Sequence, residues 1–205
     1  MLETFQTTMQ PILTAAGLSW ASGLRLYATL AVAGALQLFG LVQLPSALAL
    51  LGNPWVVGGA GAMAAVEFFM DKIPGLDSVW DSIHTFLRIP AGIALAAGGA
   101  AGLGDHWMLL AGLVGGSLAA TTHVAKSGTR LMINTSPEPF TNWAASFTEE
   151  TLWASMMALL FAYPLLFGGV FAVVLLLTGL LAWWAFKKVR GLLGKITSFS
   201  NPKTA

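Results

Sequence analysis

Apolar residues run in long blocks along this chain, and the polar residues between them are bunched rather than interspersed. Apolar stretches of about 20 residues are long enough to cross a bilayer as helices. The first block extends from near Pro11 to Gly40 with Arg25 as its only charge. The second, Leu41 to Met70, is interrupted by Pro45 and by Asn53-Pro54. A charged stretch from Asp71 to Arg88 leads to an apolar run from Ile89 to Leu103, a turn at Asp105-His106 and a further run from Trp107 to Thr122. A second polar stretch covers His123 to Glu150. The last block, Thr151 to Phe186, is too long for one untilted crossing and carries Pro164, so a helical hairpin breaking at Tyr163-Pro164 is expected. The pattern predicts an all-α, polytopic transmembrane bundle of about six helices over residues 1–186, followed by a basic tail over residues 187–205.

Composition agrees. The 205 residues are 56% hydrophobic and 9% charged, whereas a soluble domain carries about a quarter charged residues. A net charge of +1 argues against nucleic acid as a partner, and the absence of Cys excludes disulfides and thiolate metal sites. Met1 to Thr14 lacks a basic start and a short apolar core leading to a cleavage motif, so the first apolar segment is expected to stay in the mature protein. Lys187, Lys188, Arg190 and Lys195 follow the last apolar run, which predicts a cytoplasmic C-terminus. Leu192, Leu193 and Ile196 would let this tail lie on the inner leaflet, and a plain solvated end fits equally well.

Several helices should be broken by Pro or Gly. Breaks are expected near Ser22-Gly23, beside Arg25, and at Pro74-Gly75, Ser127-Gly128 and Pro137. The Ser22-Gly23 and Ser127-Gly128 sites share the pattern Ser-Gly-x-Arg-Leu, at Ser22 to Leu26 and Ser127 to Leu131. Discontinuous helices at matching places in two halves mark transporter binding sites, so an internal two-fold repeat is a candidate feature. Gly-rich clusters such as Gly58-Gly59-Ala60-Gly61 and Gly115-Gly116-Ser117 point to tight helix packing.

The charges form stripes. Glu67 and Asp71 lie four residues apart and are followed by Lys72 and Pro74-Gly75. Asp77, Asp81, His84 and Arg88 share one face of a short helix expected to stop before Pro90. His123, Lys126, Arg130 and Asn134 form a third, basic stripe. Polar loops at the headgroups would account for scattered charges, with weak ion pairs. These charges instead occupy coherent faces, and Val79, Trp80, Ile83, Phe86 and Leu87 fill the gaps of the Asp77 stripe. That favours helices buried in protein on the apolar side and opening onto a polar cavity on the other. No metal motif is present, and His84, His106 and His123 are scattered. A cation among Glu67, Asp71, Asp81 and His84 competes with pairing of those acids to Lys72, Lys126 or Arg130. Neither a nucleophile elbow nor a phosphate loop appears, so no enzyme activity and no cofactor are expected, with a membrane hydrolase using Asp and His as the third reading after a transporter and a scaffold.

The segment Val66 to Asp77 with its Glu-x-x-x-Asp-Lys-x-Pro-Gly element, then Trp80-Asp81, Arg88 and Pro90-Ala91-Gly92, resembles a bacterial membrane family called domain of unknown function 4126. Ala125 to Arg130, with Asn134, Ser136-Pro137, Asn142 and Ser146, resembles it too. The likeness runs from about Gly17 to Pro164 and implies a polytopic membrane protein, but it supplies no activity and no substrate.

These readings lead to the expectation of a small transporter or channel-like protein of the bacterial inner membrane. Glu67 and Asp71 would bind a cation or proton, with Lys126 and Arg130 pairing with them or holding an anionic group. The alternative is a non-transporting assembly or scaffold subunit that docks a partner at the membrane. Six short helices are few for a complete path, which makes a homodimer in the lipid bilayer a candidate assembly.

Overall fold

The computed structural model describes residues 8–135 and 138–200, with side chains as far as residue 191. The expected break at Pro137 therefore lies outside the described residues, as do the side chains of Leu192, Leu193, Lys195 and Ile196. The described residues are almost wholly helical: α1 (Gln10–Leu24), α2 (Leu26–Leu38), a 3-10 segment (Ser46–Gly52), α3 (Pro54–Met70), α4 (Leu76–Ala100), a second 3-10 turn (Ala101–Leu103), α5 (Asp105–Ile133), α6 (Pro139–Ala162) and α7 (Pro164–Ser200).

Proline sets several of the starts. Pro54, Pro139 and Pro164 open α3, α6 and α7, where the missing N–H would have had no helical partner. At α3 the Asn53 side chain completes the start by accepting from Trp55 N at 2.9 Å. Gly75 (φ +85°) supplies the left-handed residue that lets the chain turn from α3 into α4.

The centre is built by α1, α4 and α5. The α4–α5 pair is the most extensive helix contact, and α1 lies against both. Small residues set the spacing: a Cβ at Gly92 would overlap Ala119, and one at Gly115 would overlap Ala96. The buried Ser19 hydroxyl sits at this approach, donating to Gly115 O at 2.6 Å with Gly92 O at 3.0 Å. Such close packing replaces the hydrophobic drive that is weak between helices in lipid. The apolar core cluster joins Trp20 and Leu24 of α1 and Leu95 of α4 to Met156, Met157 and Leu160 of α6 and Phe167 and Phe171 of α7.

Polarity is inverted relative to a water-soluble bundle. Phe39, Trp55, Phe86 and Leu165 are among the large apolar side chains on the outside, while Glu67, Asp71, Asp77, Asp81, Arg88 and Arg130 are fully buried. Helices α4 and α5 and the Pro164–Gly191 part of α7 are each long and apolar enough to cross a membrane. The 3-10 segment and α3 pass as a fourth if the pair, bent by 68°, is counted as one span. That is fewer than the six or so suggested by the apolar runs. The first run is divided at Arg25 into helices of 15 and 13 residues, and α6 buries Asn142 and Ser146.

Three expectations about chain breaks need correction. The Ser127-Gly128 site is not a break: α5 continues to Ile133. Ser127 Oγ donates within the helix to His123 O at 2.8 Å, and Gly128 admits α7, since a Cβ there would lie 2.5 Å from Ala185 Cβ. The first copy does break, at Arg25 (φ −144°, ψ 89°), just after Ser22-Gly23. With one copy broken and the other continuous, the internal repeat loses its structural basis. Nor does α4 stop before Pro90; it continues through Pro90 to Ala100. The packing of Gly92 to Ala100 on α1 and α5 outweighs one lost backbone hydrogen bond, as is common in membrane helices. The breaks at Pro74-Gly75 and Tyr163-Pro164 fall where expected.

Candidate functional site: a buried ion-pair network

The α4 stripe points inward. Asp77, Asp81, His84 and Arg88 are buried, whereas Val79, Ile83, Phe86 and Leu87 are exposed. The expected arrangement is thus reversed: the apolar side faces out, and the charged side packs into the protein rather than lining an open cavity. In lipid this is the economical orientation, because charges find partners only in the interior.

Arg88 Nη2 donates to Glu67 Oε1 at 2.8 Å, joining α4 to α3. Lys126 Nζ donates to Asp71 Oδ2 at 2.7 Å, joining α5 to α3. Arg130 makes a two-pronged contact with Glu149 of α6, Nη2 to Oε2 at 2.7 Å and Nε to Oε1 at 3.2 Å. It also donates to Asp71 O at 2.9 Å and to Asn142 Oδ1, and lies 3.7 Å from Asp77 Oδ2. Arg130 therefore does not meet Glu67; the cation beside Glu67 is Arg88. Asn134 Nδ2 donates to Asp77 Oδ1 at 2.7 Å and Ser78 Oγ at 2.8 Å, closing the network at one end.

At the α1–α2 break, Arg25 Nη1 lies 2.8 Å from Glu150 Oε1, and Lys72 Nζ donates to the same oxygen at 2.7 Å. Lys72 also stands over the Phe68 ring, 3.2 Å from its centroid. The break thus turns a charge out of α1 toward α6.

The partners of His123 fix its tautomer. Arg88 Nη1 can only donate, so His123 Nδ1 accepts from it at 3.3 Å. His123 Nε2–H then donates to Thr85 Oγ1 at 2.6 Å, and Thr85 donates to Asp81 O at 3.0 Å. His84 donates from Nδ1 to Trp80 O at 2.8 Å, and its Nε2 shares a hydrogen bond with Tyr27 OH at 3.1 Å. His106 is exposed at the start of α5, apart from the network.

Asp81 is the exception among the acids. Arg88 Nη1 lies 3.0 Å from its Oδ1 but off the hydrogen-bonding direction, Lys126 Nζ is too far at 3.7 Å, and among the described residues neither Asp81 oxygen receives a hydrogen bond. Six carboxylates (Glu67, Asp71, Asp77, Asp81, Glu149, Glu150) face five cations (Arg25, Lys72, Arg88, Lys126, Arg130). Among the described residues, no cluster of three or more metal-ligating side chains is placed to hold a metal ion.

Four members escaped the stripes read from sequence: Asn142, Ser146, Glu149 and Glu150. Their spacing of four, three and one places them on one face of α6. Asn142 and Ser146 are fully buried there. The same helical count that found the other stripes would have found this one.

Inverted polarity, close small-residue packing and a buried charge network define a helical membrane protein with an ion-pair core. The chain belongs to the family described as Domain of unknown function (DUF4126), whose family model matches residues 12–187. No curated protein and no solved structure matches the chain.

Proposed function

We propose that this protein is a small transporter that binds a proton or monovalent cation at its ion-pair network. The supporting observation is Asp81: it is fully buried, with Arg88 at 3.0 Å and Lys126 at 3.7 Å, yet neither of its oxygens accepts a hydrogen bond among the described residues. A buried carboxylate in that state gains from a proton or a mobile cation, and ionisable groups inside membrane bundles mark conduction or coupling paths. Glu67 and Asp71 are committed to Arg88 and Lys126, so the exchangeable position shifts from them to Asp81. In this reading the bacterial inner membrane is the location, and the basic C-terminal flank faces the cytoplasm.

Reconstituted vesicles carrying an entrapped pH-, sodium- or potassium-sensitive dye test the proposal. Wild-type protein is expected to dissipate an imposed proton, sodium or potassium gradient, and Asp81→Asn to abolish that flux while keeping the wild-type elution profile in detergent. Gradients that decay at the empty-vesicle rate with wild-type protein would overturn the transport reading and favour the scaffold alternative.

A further inference from the structure

A crevice of about 240 Å³ opens among α1, α5, α6 and α7 and reaches the network at Lys126 and Glu149. We propose that it is a binding site for a small organic ammonium ion, entered from the side of the bundle; this rests on the cation-transport reading of the adjoining network. Glu149 keeps 14% of its side-chain surface exposed, while the Lys126 side chain has none. The crevice therefore meets a carboxylate; the buried Lys126 Nζ hydrogen-bonds Asp71 Oδ2 at 2.7 Å and lies 4.0 Å from Glu149 Oε2.

Its hydroxyls point to the same class of ligand. Thr122, Thr129 and Thr148 give their protons to the carbonyls of Leu118, Ala125 and Ala144 at 2.7–2.9 Å. They present only lone pairs to the crevice, so with Glu149 they form an acceptor-rich wall suited to N–H donors. Helices α1 and α7 supply Trp20, Leu24 and Leu181, with Thr178 their one hydroxyl, and α6 adds Leu152. A hard inorganic cation requires oxygen on most sides. A molecule with an N–H head and an apolar body matches both walls. The volume equals roughly eight waters, or one small organic molecule.

The Glu149 oxygens that would receive this ligand also hold Arg130. Occupancy would loosen Arg130 from α6 and pass to Asp71 and Asp77 through its other contacts, linking the crevice to the network.

Binding of benzylammonium chloride, with neutral benzyl alcohol as its isostere, to the purified full chain in detergent tests the site by calorimetry. Benzylammonium is expected to bind at least tenfold more tightly than the alcohol, at matched ionic strength. Leu152→Trp, which fills the crevice without touching a charge, is expected to abolish binding of both. Glu149→Gln should cost benzylammonium at least tenfold and leave the alcohol unaffected. Should that variant fail to fold, Thr148→Val removes one acceptor and spares the ion pairs, with a threefold loss expected. Equal affinity for both compounds, no binding of benzylammonium, or binding indifferent to Leu152→Trp would each overturn the site. Binding is read without transport, so the two proposals fail separately. Bound benzylammonium with no cation flux removes the transport reading alone; flux without benzylammonium binding removes the crevice site alone.

Discussion

Arg88 and Glu67 meet at 2.8 Å with neither side chain exposed, and this pair is a principal tie between α3 and α4, which touch little elsewhere. Asp71 with Lys126 ties α3 to α5 in the same way. Helix α3 is thus held to the centre of the bundle by charge, while its apolar packing is mainly with α2 and the 3-10 segment.

Neutralising one partner should therefore hurt more than neutralising both. Glu67→Gln strips Arg88 of its hydrogen-bonded carboxylate in a buried site and leaves it Asp81 at 3.0 Å, at a cost of up to about 3–5 kcal/mol. The double variant Glu67→Gln/Arg88→Met is expected to recover part of that loss in a thermal melt in detergent. Additive losses in the two single variants and the double would show that the pair is not coupled.

Glu150 serves two cations of unequal burial. The Arg25 side chain is 4% exposed and that of Lys72 15%. Arg25→Gln should destabilise by several kcal/mol, because it strips the buried charge from the break and leaves Glu150 with the more exposed cation. Lys72→Gln should cost about 1 kcal/mol. Chemical denaturation of the two variants orders them; a larger loss for Lys72→Gln would contradict this ranking.

Glycines of one composition divide into two kinds. A Cβ at Gly92 would overlap Ala119, whereas one at Gly59 meets nothing within 4 Å. Gly92→Val is expected to destabilise by about 1–3 kcal/mol or more through overpacking. Gly59→Ala should stabilise α3 by about 0.5–1 kcal/mol. A lower melting temperature for Gly59→Ala would mean that another molecule occupies that face.

Orientation has a direct check. A reporter fused after Ala205 should read the cytoplasm, given the Lys187, Lys188 and Arg190 flank. Activity on the opposite side would reverse the orientation.

Periodicity made the charged faces legible. Asp77, Asp81, His84 and Arg88 do lie on one side of one helix, and the break beside Arg25 was announced by Ser22-Gly23. Pairing was not legible, because a stripe gives the face and leaves the partner open: Arg130 has Glu149 rather than Glu67 beside it. The direction of the apolar face was misread for a related reason. Val79, Ile83, Phe86 and Leu87 suit a protein interior and a lipid exterior equally, and only the company of buried charges on the opposite face decides between them. Gly128 shows the same ambiguity, since Ser-Gly beside Arg reads as a break until the neighbouring Ala185 is seen to need the space.

The charge network also imposes an order on how the protein can be made. Ionised groups near the middle of an isolated helix oppose membrane insertion by about 2.5–3.5 kcal/mol each, and α4 buries Asp77, Asp81 and Arg88 on one face. Arg88 and Asp81 face each other on that helix at 3.0 Å, and the other compensating groups come from elsewhere: Glu67 before it, Lys126 and Arg130 after it. A nascent chain that has released only α1 to α4 holds Glu67, Asp71, Asp77 and Asp81 with Arg88 as the one cation of the central cluster. Helix α4 is therefore expected to settle fully only once α5 has brought Lys126 and Arg130 to those acids.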